Sequence, residues 1–175
     1  MSDAETPITL EIQISIENGS WPDMQTLLVR ADEVLSEAAV FLAGETGQPF
    51  PDDGVEVSLL FTDDASIRKI NAQWRSQDKP TNVLSFPAFP VEPGDMPGPM
   101  LGDIILAHET LVREAAELSK SFDDHCTHLL VHGFLHLLGY DHMDDEEADE
   151  MEGLETRILA RLGLSDPYGE NDVAP

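Results

Sequence analysis

The segment HGFLHLLGYDH, residues 132–142, sets His132, His136 and His142 at spacings of four and six inside an otherwise apolar run. Burying imidazoles where leucines would pack costs free energy unless the rings find partners, so this stretch constrains the fold more than any other. Upstream, Ser121 followed by Asp124 reads as a helix start, and Gly139 as the residue that ends the helix. At about 100° per residue, His125, His128, His132 and His136 fall within roughly 80° of one another, as one stripe of rings. Gly139 lets the chain turn, so that His142 swings back toward His132 and His136.

Three neutral ring nitrogens then converge and leave a fourth tetrahedral position open, which is the catalytic rather than the structural kind of zinc site. The spacing H-x3-H-x2-G-x2-H is that of the metzincin zinc motif, with one departure: Gly133 stands where a zinc protease carries its general-base glutamate. The chain is therefore expected to hold a catalytic metal without being a protease of the usual kind. His128, one turn before His132, is placed to support a ligand or touch substrate, and His125 lies farther off; both are expected to be solvent-exposed. Asp141 is placed to orient an imidazole or accept a proton, and also fits a plain turn aspartate. Most of the run DDEEADEMEGLE reads as a solvated helix face. Cys126 points about 100° off the stripe and reads as a small buried hydrophobe. As the lone cysteine it excludes an internal disulfide and suits a reducing compartment.

Elsewhere, ITLEIQISI alternates at period two, as in a half-buried strand. A long amphipathic helix follows Pro22, running through Leu27, Leu35 and Leu42 to Gly44. VEVSLLF is strand-like, TDDASIRKINAQWR helical with Thr62 as its cap, and Val83 to Phe86 a short strand. Residues 87–100 carry five prolines and two glycines and read as a functional loop. The strand LGDIILA, the helix ETLVREAAELSK and the two last helices complete the order βαβαββααα, which is α+β. One domain is expected over residues 7–168, with polar tails at 1–6 and 169–175.

Nine basic against 35 acidic residues give a net charge of -26, which on its face argues against a nucleic-acid partner. The distribution argues otherwise. Arg68, Lys69, Arg75 and Lys79 lie within RKINAQWRSQDK, and a screening length of about 8 Å lets a local basic patch act against a remote acidic surface. The amino terminus lacks a signal-peptide pattern and no apolar run reaches the roughly 18 residues that span a bilayer. A cytoplasmic protein without membrane contact is expected.

HGFLHLLGYDH, WRSQDKPTNVLSFP, LGDIILA and the acidic segment ending MEGLE together resemble the YbeY-type endoribonucleases, bacterial zinc proteins of ribosomal RNA maturation. The resemblance covers roughly residues 8–168. It implies a zincin-like α+β fold, a small mixed sheet packed with about five helices, with the metal on a helix in the C-terminal half. It also implies His132, His136 and His142 as Zn2+ ligands and Arg75 as the arginine needed for activity; from the residues themselves, Asp141 is a second catalytic candidate, and Lys79 and His128 are candidate substrate contacts. The activity implied is zinc-dependent cleavage of single-stranded RNA, in maturation of the 16S rRNA 3′ end and ribosome quality control, with ribosomal particles as partners and no DNA. Ser76-Gln77 departs from the Gly-Lys that many relatives carry and removes a phosphate-attracting charge. The competing readings are a zinc peptidase or amidohydrolase, and a non-catalytic ribosome-associated zinc module.

Overall fold

The computed structural model describes residues 8–165 and 167; the expected tails at 1–6 and 169–175 lie outside them. The elements follow in the order β1 (Leu10–Ile16), α1 (Met24–Glu45), β2 (Val55–Thr62), α2 (Asp64–Arg75), β3 (Val83–Pro87), β4 (Met100–Ala107), α3 (His108–Glu117), α4 (Phe122–Leu137) and α5 (Asp145–Arg161). This is the α+β order read from the sequence, with a four-stranded mixed sheet and five helices. The sheet runs β1-β2-β4-β3. β1 pairs with β2 and β2 with β4 in parallel, whereas β3 pairs antiparallel with β4 and forms an edge.

The two faces of the sheet are covered unequally. Val57, Leu59 and Phe61 of β2, with Ile104 and Leu106 of β4, point into the main core with α1, α4 and α5. Leu60, Leu84, Phe86 and Ile105 point the other way, where α2 supplies Ile67 and Ile70. Helix α1 buries Leu27, Ala31, Val34, Leu35, Ala38 and Leu42, the i, i+4, i+7 spacing of a helix lying on a sheet. Helix α4 is buried on nearly every side, against α1, α3, α5, β3 and β4. No described helix is long and apolar enough to cross a membrane.

One local expectation shifts. Thr62, expected to cap α2, is instead fully buried at the end of β2, where its carbonyl accepts from the Trp21 indole N–H. Asp63 is the cap, its side chain accepting from the Ser66 N–H at 2.9 Å. Residues 88–99 form no helix or strand, as the prolines suggest. Buried Gln48 fastens this loop by donating to the Asp95 carbonyl and accepting from the Gly94 N–H.

Gly133 explains why the zinc-protease glutamate is missing. It faces the sheet, and a Cβ built on it would stand 2.9 Å from Ile104 Cγ2 and 3.1 Å from Ser85 Oγ. A glutamate there would force a carboxylate into the packed layer between α4 and the sheet. Gly133→Glu is expected to melt at least about 10 °C below the wild type, because overpacking and an unpaired buried charge together cost several kcal/mol, at about 2–4 °C per kcal/mol. A thermal melt followed by circular dichroism measures it, and an unchanged midpoint would show that the helix is not pressed against β4 as described.

Candidate metal centre

Helix α4 starts as its sequence suggests, with the Ser121 hydroxyl accepting from the Asp124 N–H at 3.0 Å. Its buried stripe carries the histidines in file, with ring centroids 6.3 Å apart for His125 and His128, 6.4 Å for His128 and His132, and 4.6 Å for His132 and His136. Gly139 follows the C-cap Leu138 at φ +103°. Glycine is required there twice over: the backbone is left-handed, and a Cβ would lie 2.5 Å from the Val91 carbonyl oxygen. The Pro-rich loop thus presses on the turn that returns the chain to the site.

That turn brings His142 to the other two rings. Its centroid is 6.0 Å from that of His132 and 5.3 Å from that of His136. One nitrogen from each of the three side chains lies within 4.8 Å of the others, a group able to hold a metal ion. His132 Nε2 and His136 Nε2 are 3.1 Å apart. Two tetrahedral ligands at Zn–N of about 2.0–2.1 Å would stand about 3.3–3.4 Å apart, so the pair is already close to a chelating geometry.

The remaining ring nitrogens are tied down. His136 Nδ1 donates to the Tyr140 carbonyl at 2.9 Å, and His132 Nδ1 lies 2.6 Å from Glu155 Oε2. Both bonds turn the Nε2 lone pair toward the shared point, as metal-binding imidazoles require. Burial, reinforced by the neighbouring His132, pushes the His136 pKa down to about 4, which keeps the ring neutral and able to coordinate near pH 7. His142 is exposed, and its backbone N–H donates to Asp141 Oδ1 at 2.8 Å. Asp141 thereby shapes the turn under the third ring.

Glu155 is a residue of the site that sequence reasoning missed. It is 1 % exposed and its second oxygen lies 2.8 Å from His128 Nε2. Burial alone would raise its pKa, but the hydrogen bonds from His128 and His132, helped by their charge, hold the carboxylate down to about 2. A signal for it exists: Met151, Leu154, Glu155, Ile158 and Leu159 are the buried residues of α5, so Glu155 occupies an apolar-stripe position. A glutamate there must answer a buried partner. Glu155→Gln keeps the shape and removes the anion, and is expected to weaken metal affinity about 10–100-fold. Competition with a chromophoric chelator measures the change, and an unaltered affinity would leave Glu155 without a role at the metal.

His125 and His128, expected in solvent, are instead buried, at 3 % and 9 % exposure. Their partners explain it, since His125 Nε2 lies 2.8 Å from Glu114 Oε1, which also accepts from Asn82 Nδ2 at 3.0 Å. His128 stands behind His132, against Glu155, and does not line the hollow at the three rings.

That hollow has a volume of about 530 Å³ and is lined by the three histidines, Asp141, Arg75 and Ser85, with Pro90 and Val91 of the loop. Arg75 enters from the end of α2, donating from Nη2 to the Ser85 carbonyl at 2.7 Å with its guanidinium 4.8 Å from the Phe86 ring centroid. Lys79 sits exposed on the connection after α2, outside the lining. The basic patch is smaller than its sequence suggests, because Arg68 pairs with Asp78 at 2.8 Å. Among the described residues, ion pairs also engage Arg30, Arg113, Arg157 and Arg161, and none is formed by Lys69, Arg75 or Lys79. Of these three cations Arg75 lines the hollow, in an otherwise acidic protein.

Comparisons with known proteins show the family. The family model described as Endoribonuclease YbeY matches residues 24–163. A Sinorhizobium fredii protein named Endoribonuclease YbeY is 69% identical over 92% of this chain and 93% of its own length. One of the same name from Rhizobium meliloti is 70% identical over 92% of this chain and 96% of its own. The solution structure of TM1509 from Thermotoga maritima superposes with a TM-score of 0.56 at 27% identity, covering 94% of this chain and 93% of that one. The family model and relatives of this identity cover most of the chain, a solved structure shares its fold, and the chain belongs to the endoribonuclease YbeY family.

Proposed function

We propose that residues 7–168 form a single-domain, zinc-dependent endoribonuclease that cuts single-stranded RNA in the cytoplasm, acting at the 16S rRNA 3′ end in ribosomal RNA maturation and in ribosome quality control. The observation that carries the reading is the meeting of three converging imidazoles with the unpaired cation of Arg75 in one open hollow. The relatives' name, Endoribonuclease YbeY, supplies the substrate class. Ribosomal particles and their proteins are the expected setting.

The donor set fits zinc: three neutral nitrogens, two of them fixed through their other ring nitrogen, and no fourth protein ligand among the described residues. Bound there, the ion supplies Lewis acidity, lowering the pKa of water and polarising a phosphodiester oxygen. The protein's own groups do the rest. Glu155 holds His132 in register, and Asp141 fixes the turn beneath His142 and stands where it can accept a proton. Arg75, forked and always charged, meets negative charge as it grows on the phosphoryl oxygens.

A peptidase reading is disfavoured by Gly133, which leaves the place of a zinc protease's general base without a carboxylate. A purely structural zinc is disfavoured by the incomplete ligand set, since Cys126 is buried with its thiol pushed up to about 12. Zinc-loaded protein is expected to cut a short unpaired RNA and to lose that activity with a chelator, while leaving duplex RNA and casein intact. Cleavage of casein, or of no substrate at all, would overturn the proposal.

A further inference from the structure

Beyond Arg75 the protein turns a corner. Edge strand β3 has two sides: Ser85 faces α4 and the metal hollow, while Phe86 faces the opposite side of the sheet. There Phe86 and Trp74 line a second hollow of about 600 Å³. Trp74 is 65% exposed, although it is among the largest apolar side chains in the protein, and its ring centroid is 6.4 Å from that of Phe86 at an interplanar angle of 64°. Arg75 joins the two sides, bonded to the Ser85 carbonyl and lying over the Phe86 ring.

We propose that Trp74, backed by Phe86, is a stacking platform for one unpaired nucleobase of the substrate, whose backbone passes from the metal hollow over Arg75 and around the β3 edge. The inference rests on the nuclease reading above. The chemistry of the second hollow selects a base over other occupants. Apolar Leu60 and Ile70 line it together with polar Gln13 and Ser58, and Asp103 and Glu17 also line it. Those carboxylates repel a phosphate but accept hydrogen bonds from the exocyclic amines of a base. The negative backbone is left to the Arg75 side of the edge. Aromatic side chains beside a cationic track are how proteins hold single strands, because every base offers a π-face. Duplex bases are stacked on each other and cannot use such a platform, which gives the preference for unpaired RNA a physical source.

The test uses zinc-loaded enzyme and a short unpaired RNA, together with copies lacking the base at one nucleotide at a time on either side of the cut. Trp74→Ala is expected to raise KM about ten-fold with kcat within about three-fold, and Trp74→Phe to stay within about three-fold of wild type in both. Removing the base at one position should raise the wild-type KM by a similar factor and leave the Trp74→Ala value unchanged, since the partners of one contact are not additive. Binding has its own readout: RNA should quench the exposed indole in the wild type, and Trp74→Phe, which retains only Trp21, should show no quench. Equal KM for wild type and Trp74→Ala on RNA that both cut would overturn the platform and leave the nuclease reading standing. So would a defect in Trp74→Ala that Trp74→Phe fails to rescue, or base-removal penalties that persist unchanged in Trp74→Ala. A wild-type enzyme that neither binds nor cuts the RNA sinks both, and that arm alone reports it.

Discussion

His132→Ala is expected to lose bound metal and RNA cleavage together, with activity down by at least about 10³-fold. Two of the three rings would remain, one of them exposed, and a pair of monodentate imidazoles cannot hold the ion in competition with buffer. Losing the Lewis acid forfeits several kcal/mol of transition-state stabilisation, and each 1.36 kcal/mol is ten-fold in rate. The substitution also strips one of two imidazoles from the buried Glu155 carboxylate, and breaking a buried pair of this kind costs about 3–5 kcal/mol. His142→Ala separates the effects. That ring is exposed and away from Glu155, so its loss should remove metal and cleavage while the melting temperature of the metal-free protein stays close to wild type. Metal analysis of the purified variants, beside cleavage rates, decides the matter. Retained cleavage in metal-free His142→Ala would show that the triad is not the reacting centre.

The second large effect belongs to Arg75. Arg75→Ala should keep its metal and lose about 10²–10³-fold in cleavage, the scale of removing one preorganised donor from a charge-accumulating transition state. Arg75→Lys should recover little of it, because an ammonium cannot present the guanidinium's fork while also holding the Ser85 carbonyl. Stability should change by only about 0.5–1.5 kcal/mol, the worth of that hydrogen bond. Wild-type cleavage by Arg75→Ala would remove Arg75 from the chemistry.

The histidines of the first prediction are legible in the amino-acid sequence for a physical reason, whereas Arg75 stands out from its basic segment only through the family resemblance. The period-two isoleucines of β1, the 3.6-period stripe of α1 and the histidine file of α4 are local patterns, each written within one element. Gly139 is legible too, because a helix stop needs a residue tolerant of positive φ. What stays hidden depends on pairing between distant elements. Nothing in the local sequence says that Gly133 looks at Ile104, and so the missing glutamate reads as a chemical choice when it is also a packing requirement. His125 and His128 read as exposed because their carboxylate partners come from α3 and α5. The neutralisation of Arg68 by Asp78 depends on the loop geometry after α2. Glu155 looks like one more acid in an acidic run, and only its helical phase sets it apart.

One ion held by three rings, with a corner open to solvent, is the claim on which the proposed chemistry stands. X-ray absorption at the zinc edge, on protein loaded with one equivalent of zinc, tests it most directly. Three imidazoles at about 2.0–2.1 Å plus at least one further light ligand, with the imidazole scattering giving way to that of buffer-bound zinc in His142→Ala, is the predicted result. A spectrum of four protein ligands, or one unchanged by His142→Ala, would contradict it.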